Sequence, residues 1–188
     1  MIPRICIGVP TADFIRTKTV ATLLSLVKKD PTIAVQIKQG CLVHKNREEI
    51  VLDAQRMGGF THLFFVDSDM CFSADVLERL LSRDADIIAA PYHYRHPGGE
   101  YVLFLDEKSN GKEKIIPDKL FKAYAAGTGC MLIKMSVFDK IKRPWFAFGD
   151  PEMQVGEDIF FCRKSQQAGF NIWVDPSVSV GHVGEMVF

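Results

Sequence analysis

The chain has 188 residues, with 23 basic and 23 acidic side chains, so its formal net charge is zero, and 47% of its residues are hydrophobic. This composition excludes a disordered protein and argues against a nucleic-acid-binding module, which would carry an excess of basic residues. The length suits one domain with its own core. No run approaches the ~20 apolar residues of a membrane-spanning helix, and the N-terminus lacks the pattern of a signal peptide. The five cysteines form no Cys-x-x-Cys pair, which favours a reduced, cytoplasmic protein.

Strands and helices alternate in the first half of the chain. Buried strands are predicted over residues 4–9, 33–37, 62–66 and 87–90. The first helix ends before Pro31, the second covers 46–57 and ends at Gly58, and the third is capped by Ser73. Spacing predicts that the first helix buries a face made of Val20, Leu23, Leu24 and Val27. This alternation predicts a mostly parallel sheet with helices on both faces.

The second half has a more antiparallel character. The Asn110-Gly111 pair predicts a hairpin between strands at 101–105 and 114–116. Further strands are predicted at 129–134, 172–174 and 178–180, with a short helix from Ser136 and a longer one over 157–168. Together the two halves predict an α/β fold whose mixed, mostly parallel sheet is flanked by helices.

The first candidate site is Asp67-Ser68-Asp69, which follows the third strand. Ligands of open parallel sheets bind beyond the carboxyl ends of the strands. Two carboxylates at such an end supply the hard oxygen ligands that suit Mg²⁺ or Mn²⁺. The alternative interpretation is a turn in which the aspartates accept hydrogen bonds from local backbone amides.

Two later motifs add acidic and imidazole groups. Gly156-Glu157-Asp158 opens a helix, where the carboxylates either complement the helix dipole or supply a general base. His182 follows the last strand. It is either a structural histidine or a nitrogen ligand that joins oxygens around Mn²⁺.

In this order and spacing, the three motifs resemble those of family-2-like, nucleotide-sugar-dependent glycosyltransferases with the GT-A fold. The segments 61–70, 127–133 and 156–162 also resemble that family, and the resemblance extends over nearly the whole chain. It implies one GT-A-like catalytic domain over residues 1–188. Residues 1–97 would form the nucleotide-binding half and 98–188 the acceptor and metal half.

The resemblance also implies roles for the motif residues. Asp69 would bind Mn²⁺ or Mg²⁺ directly, Asp67 would contact the donor ribose or reach the metal through water, and His182 would complete the metal shell. Ser68 would lie beside the donor. Asp158, with Glu157 second, would be the base that deprotonates the acceptor hydroxyl in an inverting transfer.

Other positions have two interpretations each. Pro10 and Thr11 either contact the nucleotide base and ribose or begin an ordinary loop. Arg47 either binds the diphosphate or is a solvated charge on a helix. Gly129, with Gly127, either lets the backbone approach the donor sugar or marks a tight entry into a strand.

Two aromatic segments also have alternative roles. The loop 92–96, which contains Arg95, either lines the sugar or acceptor pocket or lies on the surface. Trp145-Phe146 either stacks on an acceptor sugar or packs in the core.

The sequence therefore predicts a metal-dependent glycosyltransferase. The donor is expected to be a UDP- or GDP-sugar and the acceptor a sugar, lipid or protein, with no nucleic-acid partner; a homo-oligomer is compatible with this chain. A nucleotidyltransferase would carry a glycine-rich basic loop after the first strand, where this chain has Gly8-Val9-Pro10-Thr11-Ala12-Asp13. A phosphatase of the aspartyl-phosphate type would carry threonine in place of Cys71. The non-enzymatic alternative is a module that binds nucleotide sugars without transferring them.

Overall fold

A computed structural model describes residues 2–96, 98–109, 111–148 and 156–184. The first half contains β1 (Ile5–Thr11), α1 (Thr17–Lys29), β2 (Ala34–Gln39), α2 (Val43–Met57), β3 (His62–Val66), β4 (Met70–Phe72), α3 (Val76–Leu81) and β5 (Ile87–Ala89). The second half contains β6 (Leu103–Phe104), β7 (Phe121–Ala123), β8 (Ala125–Ala126), β9 (Cys130–Lys134), α4 (Met135–Lys140), α5 (Glu157–Gln167), β10 (Ile172–Val174) and β11 (Val180–His182).

Within these ranges the main sheet has seven strands in the order β2-β1-β3-β9-β5-β10-β7. Strands β1, β2 and β3 are parallel, as are β5 and β10, whereas β9 runs antiparallel to both β3 and β5. The predicted mixed α/β fold with flanking helices is confirmed. The insertion of β9 was not predicted. Residues 130–133 of β9 are all buried, which agrees with its interior position between β3 and β5.

The sheet separates two hydrophobic layers. Side chains alternate between faces along a strand, and in β3 Leu63 and Phe65 pack with α2, α4 and α5. Phe64 and Val66 pack on the other face with α1 and α3. Because β1, β2 and β3 are parallel, their carboxyl ends lie at one edge of the sheet, between the two layers.

Helix α1 turns a different face to the core from the one predicted. Leu24 is 64% exposed and Val20 is also exposed. The buried positions are Thr19, Thr22, Leu23 and Leu26. Of the predicted face, Leu23 is buried as expected. The Thr22 side of the helix faces β4, a strand that the sequence analysis did not predict, and the Thr22 hydroxyl and the Phe72 backbone lie 3.4 Å apart in a hydrogen bond.

Two helix starts also differ from the predictions. Helix α2 begins at Val43, so Arg47 lies in its second turn and not at its start. Helix α3 begins at Val76 with Asp75 as its N-cap, and the Ser73 hydroxyl bonds the Asp75 side chain instead of capping the helix. The predicted stop of α2 is confirmed, since Gly58 adopts a positive φ of 67° after the last turn.

The hairpin predicted around Asn110-Gly111 is wrong for its described parts, and Asn110 itself lies outside the described residues. Residues 114–116 form no strand, and β6 pairs instead with β8. Asp106 explains the difference. Its carboxylate accepts hydrogen bonds from the backbone N–H groups of Lys108 and Ser109, at 2.8 and 2.9 Å, which turns the chain before the Asn-Gly pair.

The last strand lies two residues beyond its prediction. Strand β11 covers Val180–His182 and pairs antiparallel with β4, so His182 lies opposite Met70. His182 is thus part of a strand, and this pairing brings it close to Asp69. In the described part of the chain, no helix is long and apolar enough to cross a membrane.

Candidate active site at the carboxyl edge of the sheet

The carboxyl ends of β1, β2 and β3 surround a pocket of about 200 Å³. Five predicted site residues line it: Pro10, Thr11, Asp67, Ser68 and Asp69. Pro10 and Thr11 belong to β1 itself and do not begin a loop. The pocket therefore lies where ligands of open α/β sheets bind.

Asn46 shapes this pocket and was missed by the sequence analysis. Its buried side-chain amide donates to the carbonyl oxygens of Thr11 and Gly40, at 3.2 and 2.8 Å. A Cβ atom on Gly40 would lie 2.7 Å from the Asn46 Oδ1, so glycine is required for this approach. Asn46 thus ties together the ends of β1 and β2.

Arg47 connects two motifs that are far apart in the sequence. Its Nη2 donates to the Oδ1 of Asp67 at 2.8 Å, and its Nε donates to the Oε1 of Glu157 at 3.3 Å. The side chain is buried and lies over the ring of Phe65. Burial alone would lower the pKa of Arg47, but the charges of Asp67 and Glu157 outweigh it and raise the pKa. The solvated-charge interpretation is therefore wrong, and the guanidinium faces two carboxylates.

The two carboxylates at the start of α5 have different environments. Glu157 is paired with Arg47. Asp158 is partly buried, and its Oδ1 accepts a hydrogen bond from the Ile159 backbone N–H at 2.8 Å. Burial, together with the charge of Glu157, raises the pKa of Asp158 to about 6. Asp158 is accordingly more basic than an ordinary aspartate.

Asp69 and His182 meet across the β4–β11 pair. The His182 Nε2 lies 3.4 Å from the Asp69 Oδ1, and its Nδ1 lies 2.8 Å from the His93 carbonyl oxygen. A carbonyl oxygen only accepts, so Nδ1 carries the proton and donates there. Burial alone would lower the pKa of His182, but its hydrogen bonds to Asp69 and His93 raise it. Arg95 lies on the other side of Asp69, with its Nη1 3.0 Å from Oδ2.

The separation of the Asp69 Oδ1 and the His182 Nε2 is compatible with two neighbouring ligands of one divalent metal. Two neighbouring ligands of an octahedral ion lie about 3 Å apart, close to the observed separation of 3.4 Å. Asp67 turns its Oδ1 to Arg47. Among the described residues, no group of three or more His, Cys, Asp or Glu side chains is placed to hold a metal. Any further ligands would have to come from phosphate oxygens and water.

A hydrogen-bonded chain connects Tyr92 to Asp67 through the backbone of Gly129. The Gly129 N–H donates to the Tyr92 hydroxyl oxygen at 3.1 Å, and the Gly129 carbonyl accepts from the Asp67 N–H at 3.0 Å. A Cβ atom on Gly129 would lie 2.8 Å from the Tyr92 hydroxyl and 2.9 Å from the Asp67 Oδ2. Tyr92 is buried, whereas residues 93–96 of the same segment are exposed, so the surface-loop interpretation holds for those four residues and not for Tyr92. The glycine is thus needed for the close approach of Tyr92 and Asp67.

The predicted aromatic contact with an acceptor is not supported. Trp145 and Phe146 are only 4% and 1% exposed. The Trp145 Nε1 donates to the carbonyl oxygens of Phe138 and Ile141, and the Phe146 ring stacks on that of Phe161. Both rings therefore pack in the core, which was the alternative interpretation.

Comparison with known proteins identifies a shared fold. No family model and no curated protein sequence matches the chain. Among solved structures, the A197 protein from STIV superposes with a TM-score of 0.72 at 22% sequence identity. The match covers 97% of this chain and 86% of A197. At this identity the likeness establishes the fold alone, a mixed α/β sheet flanked by helices.

Proposed function

We propose that this protein is an inverting, metal-dependent glycosyltransferase of the GT-A type that uses a nucleotide-sugar donor. The observation that carries the proposal is the ion-pair chain through Arg47, which joins the Asp-x-Asp motif to the Gly-Glu-Asp motif. Two motifs that resemble the donor and base motifs of one enzyme family are thereby connected at one edge of the sheet.

In this proposal the pocket beside β1 accepts the nucleoside of a UDP- or GDP-sugar. Pro10 and Thr11 contact the base and ribose, and Ser68 and Asp67 lie beside the ribose and phosphates. Asp69 and His182 hold Mn²⁺ or Mg²⁺, which stabilises the negative charge that develops on the departing diphosphate.

Asp158 serves as the general base. An acceptor hydroxyl oxygen attacks the anomeric carbon and its proton passes to the Asp158 carboxylate. The bond between that carbon and the diphosphate oxygen breaks, and the nucleoside diphosphate leaves with the bonding electrons. A pKa near 6 leaves Asp158 mostly ionised at neutral pH and still more basic than an ordinary aspartate. The acceptor in this proposal is a sugar, lipid or protein hydroxyl.

A binding and turnover experiment tests this function. Calorimetry with Mn²⁺ and UDP or GDP, and release of the nucleoside diphosphate from UDP- and GDP-sugars, are measured for the wild type. Asp69→Ala should abolish metal-supported nucleotide binding. Asp118→Ala is the matched control, because Asp118 is exposed and far from the motifs in sequence. Equal nucleotide binding by both variants would overturn the metal assignment.

The same assay separates the alternatives. A nucleotidyltransferase would release pyrophosphate from a nucleoside triphosphate and a sugar phosphate. A binding module would bind the nucleotide sugar and never release the nucleoside diphosphate, even over long incubation with Mn²⁺. Slow donor hydrolysis that depends on Asp158 supports the transferase.

A further inference from the structure

Arg95 lies at the candidate metal site and has no assigned role in the proposed reaction. It follows β5, and its Nη1 is 3.0 Å from the Oδ2 of Asp69. The other oxygen of Asp69 faces His182 at 3.4 Å. Both oxygens of the carboxylate that should hold the metal therefore already have partners.

An arriving cation must compete with Arg95 for Asp69. A guanidinium and a divalent ion on one carboxylate repel each other, so each weakens the binding of the other. Because Arg95 occupies one of the two carboxylate oxygens, the metal alone is expected to bind less tightly than the ligand types suggest.

The three groups differ in their freedom to move. The Arg95 side chain is 53% exposed, whereas that of Asp69 is 15% exposed. His182 is held by the His93 carbonyl, and the Asp69 carbonyl accepts a hydrogen bond from the Val183 N–H at 2.8 Å. A half-exposed arginine pair contributes little to stability and separates at little cost. Arg95 is therefore the partner that leaves.

A released Arg95 has a new ligand within reach. A diphosphate that shares the metal with Asp69 places its oxygens beside that carboxylate. The planar guanidinium forms paired hydrogen bonds with phosphate oxygens. Arg47 is less suited to this part, because its Nη2 and Nε are engaged by Asp67 and Glu157 and its remaining Nη1 is buried.

We propose, resting on the proposed function, that Arg95 is a resident counter-ion of Asp69 that the metal and the donor diphosphate displace together, after which Arg95 binds the diphosphate. Metal and nucleotide then bind cooperatively, because each removes an obstacle to the other. The free metal binds weakly, and the metal–diphosphate pair binds well.

The test measures two affinities in Arg95→Gln and in the control Arg79→Gln. Arg79, on α3, has a similar exposure, 44%, and pairs with Asp75, the N-cap of that helix. Mn²⁺ binding without nucleotide is followed by electron paramagnetic resonance, and UDP and GDP binding at saturating Mn²⁺ by calorimetry. We expect Arg95→Gln to bind Mn²⁺ about fivefold more tightly, the effect of losing one competing ion pair, and to bind the diphosphate at least fivefold more weakly. The control should change neither.

The opposite signs of the two changes distinguish this proposal from its rivals. If Arg95→Gln changes neither affinity, weakens Mn²⁺ binding or binds no Mn²⁺, the exchange is overturned. If the wild type binds UDP or GDP equally well in EDTA, Arg95 replaces the metal permanently and the exchange is also overturned. If neither nucleotide binds the wild type, a UDP- or GDP-sugar is not the donor and the proposed function is refuted. The Mn²⁺ affinities of the wild type and Arg95→Gln then still show whether Arg95 competes with the metal for Asp69.

Discussion

Two neighbouring carboxylates at the start of α5 are placed for different tasks. Glu157 is neutralised by Arg47, whereas Asp158 has no arginine of its own among the described residues and is raised in pKa by burial and by Glu157. A group with a pKa closer to neutral is the better general base at neutral pH. The difference in environment, and not in residue type, supports Asp158 as the base of the proposed transfer.

Asp158→Asn should separate binding from chemistry. The amide keeps the shape of the carboxylate but cannot accept the acceptor proton, so we expect kcat to fall by about 100-fold or more. Donor affinity by calorimetry should stay within about twofold, since Asp158 does not line the nucleotide pocket. Transfer at a near-normal rate would show that another group is the base.

The pKa of Asp158 also predicts how stability changes with pH. Its folded pKa, about 6, lies above the ordinary value of 3.8, so between these values the folded state binds more protons than the unfolded state. The contribution of Asp158 to the free energy of unfolding therefore falls as pH rises from about 4 to 6, by about 1.4 kcal/mol per pKa unit. Urea denaturation should show Asp158→Asn gaining stability relative to wild type over this range. A constant difference would contradict the raised pKa.

Arg47→Met should strongly destabilise the protein. It leaves the carboxylates of Asp67 and Glu157 without their shared cation, and breaking such a buried pair costs about 3–5 kcal/mol. Urea denaturation measures the loss. Arg79→Met, at an exposed ion pair, is the control and should change stability by about 0.5 kcal/mol or less. Similar losses in both variants would mean that the Arg47 ion pairs contribute little.

The β4–β11 pair is the element that places His182. Its register sets His182 opposite Met70, next to Asp69, while β4 also bonds to α1 through Phe72 and Thr22. The proposed metal site thus depends on a short two-stranded pairing outside the main sheet. Weakening that pairing should reduce metal binding at the proposed site more than it reduces the stability of the fold.

Gly181→Val should weaken Mn²⁺ binding by about tenfold, the usual size of an effect from displacing a metal ligand's support. A Cβ atom at this position would lie 2.8 Å from the Cys71 Sγ, so the variant pushes β11 away from β4. Ser179→Val is the control, because Ser179 is exposed and precedes the strand. Mn²⁺ affinity is measured by electron paramagnetic resonance. Equal affinities would mean that β11 tolerates the side chain.

Elements with a strong local signal were predictable. Strand β9 and helix α5 lie close to their predicted bounds, because apolar runs and helix signals are properties of the segment itself. Strand β4 was missed because three residues carry no periodicity, and its partner β11 is far away in the sequence. The 101–116 hairpin failed because the Asp106 turn competes with the Asn-Gly turn for the same chain reversal.

At the scale of the whole molecule, the motif residues supply the chemistry of the proposed transfer, and residues from other elements contact them and fix their positions. Asp67, Asp69 and Asp158 stand in recognisable motifs. Arg47, Tyr92 and Arg95 do not reveal their roles in sequence, because each role depends on contacts with residues of other elements. Their positions follow from packing of the assembled sheet, which local patterns do not encode.

Donor binding should stabilise the entire domain. A ligand that binds only the folded state, at a hundredfold excess over its Kd, adds about 2.7 kcal/mol to the free energy of unfolding. For a chain of this length, that raises Tm by about 5–10 °C. Thermal denaturation with Mn²⁺ and UDP or GDP checks this shift, and Asp69→Ala should lose it while Asp118→Ala keeps it. No shift with either nucleotide would argue against the donor class.

The position of β9 has a consequence for how the chain folds during synthesis. Residues 1–97 supply β3 and β5, but the strand that lies between them comes from residues 130–134. A nascent chain that ends before β9 therefore leaves two apolar strand edges open, and open edges invite aggregation. The hydrogen bond from the Asp67 N–H to the Gly129 carbonyl can form only after β9 has been synthesised and has paired with β3 and β5.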